Sequence, residues 1–84
     1  MEVDKKAVLE GLLFVVGDDG LTIHQIIDIL EINLEEAKVV IKSLFDEYQQ
    51  NNRGIRISFL GNTFKLTTKK EHHEFYEKLL TNEE

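Results

Sequence analysis

At Gly54 the hydrophobic period of this chain changes, and that change limits the fold more than any other feature of the sequence. Upstream, apolar residues recur at the three- and four-residue spacing of helices. Downstream, Ile55-Arg-Ile-Ser-Phe59 and Thr63-Phe-Lys-Leu-Thr67 alternate apolar with polar on either side of Gly61-Asn62. Alternation around a two-residue turn of this kind is the pattern of a β-hairpin. Helical spacing then resumes, with His72, Phe75, Tyr76 and Leu79 on one face. The order is three helices, a hairpin and a final helix.

The helix starts are marked independently of the periodicity. Asp4 is placed to cap the first helix, with Val3 and Val8 as a hydrophobic staple. Thr22 with Gln25, Asn33 with Glu36 and Thr68 with Glu71 each have capping-box spacing. Gly17 stands where the first helix should stop, and Asp18-Asp19-Gly20 continues as a turn. Helices are predicted near 4–16, 23–31, 34–50 and 69–80, and the hairpin near 55–67. The second helix presents Ile23, Ile26, Ile27 and Leu30 to a core. The third presents Leu34, Ala37, Ile41, Leu44 and Tyr48, widened by Val40 and Phe45. The short turn Glu31-Ile-Asn33 makes these two a helix-turn-helix. A hairpin directly after it makes the unit a winged helix, α+β in class and mostly helical.

The first helix is apolar nearly all round. Leu9, Leu13 and Val16 form one stripe and Val8, Leu12 and Val15 the next; Ala7, Gly11 and Phe14 fill most of the remainder. Only the sector holding Lys6 and Glu10 is polar. Such a helix is buried on nearly all sides, yet a chain of 84 residues has one core to offer it. Either stripe can face that core. The other is left for a second chain, most simply a second copy in a symmetric homodimer. Leu60 and Phe64 of the hairpin are candidates to extend the patch, Leu60 because it falls on the strand face opposite Ile55, Ile57 and Phe59.

Composition narrows the function. No cysteine is present, which excludes disulfides and thiolate metal sites. No apolar run approaches the length of a membrane helix, and the first residues do not resemble a signal peptide. A net charge of −6 argues against a general nucleic-acid binder. The third helix would be the recognition helix of a DNA reader, but Glu35, Glu36, Asp46 and Glu47 outnumber Lys38 and Lys42 on it. Residues 48–70 form the counterweight, with Arg53, Arg56, Lys65, Lys69 and Lys70 and no acid. Arg56, Lys65, Lys69 and Lys70 are candidates for a weak phosphate contact or for meeting an acidic partner. His73-Glu-Phe-Tyr-Glu77 begins like a zinc-protease helix but has Glu77 where that motif needs histidine. No catalytic triad, phosphate loop or paired carboxylate site is visible, so neither an enzyme nor a cofactor is expected.

Glu10-Gly-Leu-Leu-Phe-Val-Val-Gly17 with Gly20-Leu-Thr-Ile-His-Gln-Ile26, followed by Arg53-Gly-Ile-Arg-Ile and Gly61-Asn-Thr-Phe-Lys-Leu-Thr67, resembles the ScpB family of bacterial segregation and condensation proteins over essentially the whole chain. The resemblance implies two winged-helix domains, of which residues 1–80 are the N-terminal one, with 81–84 a frayed tail or linker start. It implies dimerisation through this domain and binding to the kleisin ScpA, which bridges SMC ATPase heads in chromosome condensation and partition. It implies no enzyme activity, indirect contact with SMC, a cytoplasmic, nucleoid-associated setting and no membrane. The alternative is a winged-helix transcription regulator or its dimerisation module; the acidic third helix counts against it and the basic wing counts for it.

Overall fold

A computed structural model describes residues 3–81. Helix α1 runs Lys5–Val16 and ends in a 3-10 turn, Gly17–Asp19. Helices α2 (Ile23–Leu30) and α3 (Leu34–Tyr48) follow, then strands β1 (Ile55–Leu60) and β2 (Thr63–Thr68), a 3-10 turn Lys70–His72, and α4 (His73–Thr81). This is the winged helix expected from the sequence.

Three of the four helix starts form as their residues dictate. The Asp4 carboxylate accepts from the Lys6 and Ala7 amides. Thr22 and Gln25 exchange hydrogen bonds at 2.9 and 3.1 Å, and Asn33 and Glu36 at 3.1 and 2.8 Å, so both boxes satisfy two otherwise orphaned amides. The fourth does not form. Thr68 is still paired with Ile55 as the last residue of β2, so it cannot serve as a cap. A 3-10 turn with no side-chain cap takes its place, and α4 begins at His73. Between α2 and α3 the turn is made by Glu31 in the left-handed conformation (φ 56°), a role more often filled by glycine. Val3 stays largely exposed, which leaves the expected staple with Val8 open.

The core settles the ambiguity of α1. Leu9 and Leu13 are its buried residues, joined by Leu21, Ile26, Leu30, Ala37, Leu44, Tyr48 and Ile57. Val8, Leu12, Val16, Val40, Ile41, Phe64 and Leu66 pack partly against them. Leu34, expected on the inner stripe of α3, is instead exposed at the start of that helix.

The hairpin pairs Leu60 with Thr63 across Gly61 (φ 60°) and Asn62 (φ 72°), both left-handed as a type I′ turn requires. It is also tied back to the helices. Leu21 and Phe64 exchange backbone hydrogen bonds of 2.9 and 2.8 Å, so the segment before α2 adds a one-residue third strand. Gly20 makes this approach possible. Its φ is 73°, and a Cβ there would lie 2.8 Å from Thr63 Cβ.

Candidate interaction surfaces

Lys6 and Glu10 of α1 point towards α3, and Lys5 towards the end of α2. Lys6 pairs with the Glu47 carboxylate and donates to Ser43 Oγ at 3.3 Å. The Tyr48 hydroxyl donates to Glu10, and the Arg53 guanidinium lies 5.2 Å from the centre of the Tyr48 ring. Lys5 donates to the Leu30 carbonyl. Burial, and then the Glu10 hydrogen bond, push the Tyr48 phenol above its usual range; the Glu47 hydrogen bond raises Lys6.

Because α1 commits these groups to its neighbours, its outward face is Ala7, Gly11, Phe14 and Val15, with no charge among them. Phe14 is 79% exposed and Val15 82%. The structure therefore separates residues that the sequence grouped. Val8 and Leu12 are half-buried against the core, whereas Val15 stands fully outside beside Phe14. A Cβ added to Gly11 would meet nothing within 4 Å, so another backbone has room to approach. The polar sector was legible as polar, but its partners were not. Lys6–Glu47 and Glu10–Tyr48 join residues about forty positions apart, and no local spacing announces such pairs.

A second apolar surface lies between α3 and the hairpin. Ile23, Ile41, Phe45, Ile57, Phe59 and Phe64 line a groove of about 380 Å³, and Lys38 and Lys42 stand at its edge. Phe59 and Phe64 stack across the strands with ring centres 4.5 Å apart. Phe64 is thus shared between core and groove, while Leu60 projects at 75% exposure near the turn. Arg56, Lys65 and Lys70 line a separate surface with Leu60 and Thr67, Arg56 and Lys65 standing on the hairpin face opposite Phe59 and Phe64.

Lys69 does not join that basic set. Its side chain is 5% exposed and its ammonium donates to the Gln50 carbonyl at 2.6 Å, tying the end of β2 to the loop after α3. The only sequence signal for this was its place at the end of an alternating run. Arg56 and Lys65 sit half-buried on one face of the hairpin, and Lys70 is exposed. His73 bonds Glu77 at 3.2 Å as an exposed pair one helical turn apart, and no group of three potential metal ligands exists among the described residues. His24 is exposed; His72 is half-buried, edge-on to Tyr76. On α4, Tyr76 touches the body through the Gly54 carbonyl at 3.3 Å, while Phe75, Leu79 and Leu80 are exposed. No helix among the described residues is long and apolar enough to cross a membrane.

The boxed helices, the tied-back wing and the exposed apolar surfaces define a winged-helix domain. The chain belongs to the family of the segregation and condensation complex subunit ScpB, whose sequence model matches residues 7–84. It is 44% identical over 75 residues to segregation and condensation protein B of Geobacillus thermodenitrificans, an alignment covering 89% of this chain and 36% of that protein. The chain thus spans little more than a third of the length of that relative. Among solved structures, it superposes with a TM-score of 0.85 and 46% identity on a dimer of the ScpB N-terminal domain complexed with ScpA peptide, covering 88% of this chain and 91% of that one. ScpB from Mycobacterium tuberculosis matches at a TM-score of 0.82 and 25% identity, covering 98% of this chain and 52% of that one.

Proposed function

We propose that this domain is the dimerising, kleisin-binding module of a bacterial SMC–kleisin complex, acting without catalysis in chromosome condensation and partition. It reaches SMC through ScpA, in the cytoplasm at the nucleoid. The observation that carries the reading is the uncharged face of α1: Phe14 and Val15 stand exposed while Lys6 and Glu10 of the same helix are turned to α3. Leaving such a face in water is unfavourable by about 25 cal/mol per Å² of apolar surface, so a few hundred Å² offer several kcal/mol before the costs of association. Two copies related by a twofold axis cover it, and Gly11 lets the helices approach closely. The similar ScpB structure, a dimer holding an ScpA peptide, supports both halves of the reading.

The regulator alternative needs α3 to approach phosphates, but the α3 N-terminus carries Glu35 and Glu36, with Glu36 engaged in the capping box. Duplex DNA should therefore bind weakly, without sequence preference, and be released between low and physiological salt. Calorimetry with ScpA from the same genome tests the proposal. The 84-residue chain should bind it, and a longer chain with a second winged-helix domain should bind it more tightly through effective concentration. Absence of ScpA binding by both, or a salt-resistant, sequence-selective DNA complex, would overturn it.

A further inference from the structure

The hairpin face turned away from the core is built from hydrogen-bond donors. The register sets Arg56 opposite Thr67 and Ser58 opposite Lys65, so each cation faces a hydroxyl across the strands. Alternation puts all four on the side opposite Ile57, Phe59, Phe64 and Leu66. Where the hairpin meets the helices, Arg56 and Lys70 also line a polar recess of about 260 Å³ with Gln49, Lys69 and Glu71. Lys69 spends its ammonium on the Gln50 carbonyl, whereas Arg56, Lys65 and Lys70 form no ion pair among the described residues. Glu71 is the carboxylate of this surface, set against three uncommitted cations in a chain whose net charge is −6.

We infer that this face of the wing contacts the phosphate backbone of duplex DNA, with Arg56, Lys65 and Lys70 each pairing with a phosphate and the Ser58 hydroxyl donating beside them. Side chains of these types are the ones that hold phosphates, and they fix position on a duplex without reading its sequence. An acidic polypeptide carries the same sign of charge, but a polypeptide contact draws its affinity from apolar anchors, and this face supplies Leu60 alone. Contact through the wing leaves α3 outside the grooves, in keeping with Glu35 and Glu36 at its start. The inference goes beyond the proposed function: it adds a DNA contact that is independent of ScpA.

The test is fluorescence anisotropy of the full 84-residue chain on a labelled duplex of mixed sequence, at salt from about 50 to 200 mM. Three phosphate contacts for each protomer engaged predict that log affinity falls against log salt with a slope of about −2.7, about fortyfold over that range. Arg56→Gln combined with Lys65→Gln should bring the slope to about −0.9 and the loss to about fourfold. Lys38→Gln combined with Lys42→Gln removes the same charge beside α3 and should leave the slope unchanged. Lys70→Gln, at an exposed position, should lower the slope by about 0.9, and it decides the matter if the half-buried Arg56 and Lys65 prove necessary for folding. Dimer mass and ScpA affinity should be unchanged in both hairpin variants. A wild-type slope in both hairpin variants, or an equal drop from the Lys38 and Lys42 pair, would overturn the inference and leave the proposed function standing. So would a wild-type chain that does not bind the duplex at about 50 mM salt. A hairpin variant that melts like wild type but loses ScpA affinity would also overturn it, by assigning the face to an acidic polypeptide.

Discussion

The outer face of α1 and the groove beside α3 expose similar apolar chemistry at their centres and different chemistry at their edges. Around Phe14 and Val15 the outward neighbours within α1 are Ala7 and Gly11, small and uncharged, with the exposed Glu10 at the edge and Asp18 and Asp19 following in the 3-10 turn. Around Phe59 and Phe64 the groove is edged by Lys38 and Lys42. The first surface suits an identical copy of itself, because a twofold axis brings like residues together and its centre carries no charge to repel. The second does not, because lysine would meet lysine. The contrast arises from where each helix spends its polar groups: α1 commits Lys6 and Glu10 to α3, while α3 leaves Lys38 exposed to solvent. Salt should therefore separate the two surfaces, leaving self-association nearly unchanged and weakening any contact made with the lysines.

Substitutions on opposite sides of α1 give the largest expected effect. Leu13→Ala should cost about 2–5 kcal/mol in urea melts, because a 1%-exposed leucine leaves a cavity among core residues. Val15→Ala should cost the fold within about 0.5 kcal/mol at concentrations where the chain is monomeric. Equal costs would erase the distinction between inner and outer faces.

Gly20→Ala sharpens the comparison from the other side. A positive φ alone costs about 1–3 kcal/mol for a residue with a Cβ, and the approach to Thr63 adds to it. The strain falls on the bridge that seats the hairpin, so urea melts should show the loss while dimer mass is retained. A smaller effect is expected at Gly11. Gly11→Ala should raise the thermal stability of the dilute monomer by about 0.5–1 kcal/mol, as alanine does in an open helix position. In light scattering, the same change should weaken the dimer if two helices meet there.

The smallest effect is in pH. Tyr48 holds its proton more tightly folded than unfolded, since burial and the Glu10 hydrogen bond both favour the neutral phenol. Its contribution is complete below the ordinary tyrosine value of about 10 and is lost as pH rises through the raised value. Tyr48→Phe should flatten the alkaline loss seen in denaturation series as pH rises above the ordinary tyrosine value of about 10.

The fold was legible because its signals are local. Two capping boxes, Asp4 and the Gly61-Asn62 turn act within a few residues, and each formed where its spacing placed it. The capping box at Thr68 failed because pairing with Ile55, thirteen positions earlier, competed for the same residue. The interaction surfaces were half legible. An excess of apolar residues on α1 could be counted, but which of them stay outside depended on Lys6 and Glu10 reaching α3. Lys69 was misplaced among the exposed cations for the same reason, since its partner Gln50 lies across a loop. Of residues 81–84, read as a tail or linker start, Thr81 is the last residue of α4, and 82–84 lie outside the described residues.

The central claim is that the uncharged face of α1 joins two copies of this domain. Sedimentation or light scattering at micromolar concentration, on wild type and Val15→Glu side by side, tests it most directly. The account predicts a dimer whose mass is insensitive to salt for wild type, and a monomer with an unchanged helical spectrum and melting curve for the variant. A monomeric wild type, or a Val15→Glu chain that remains dimeric, would contradict it.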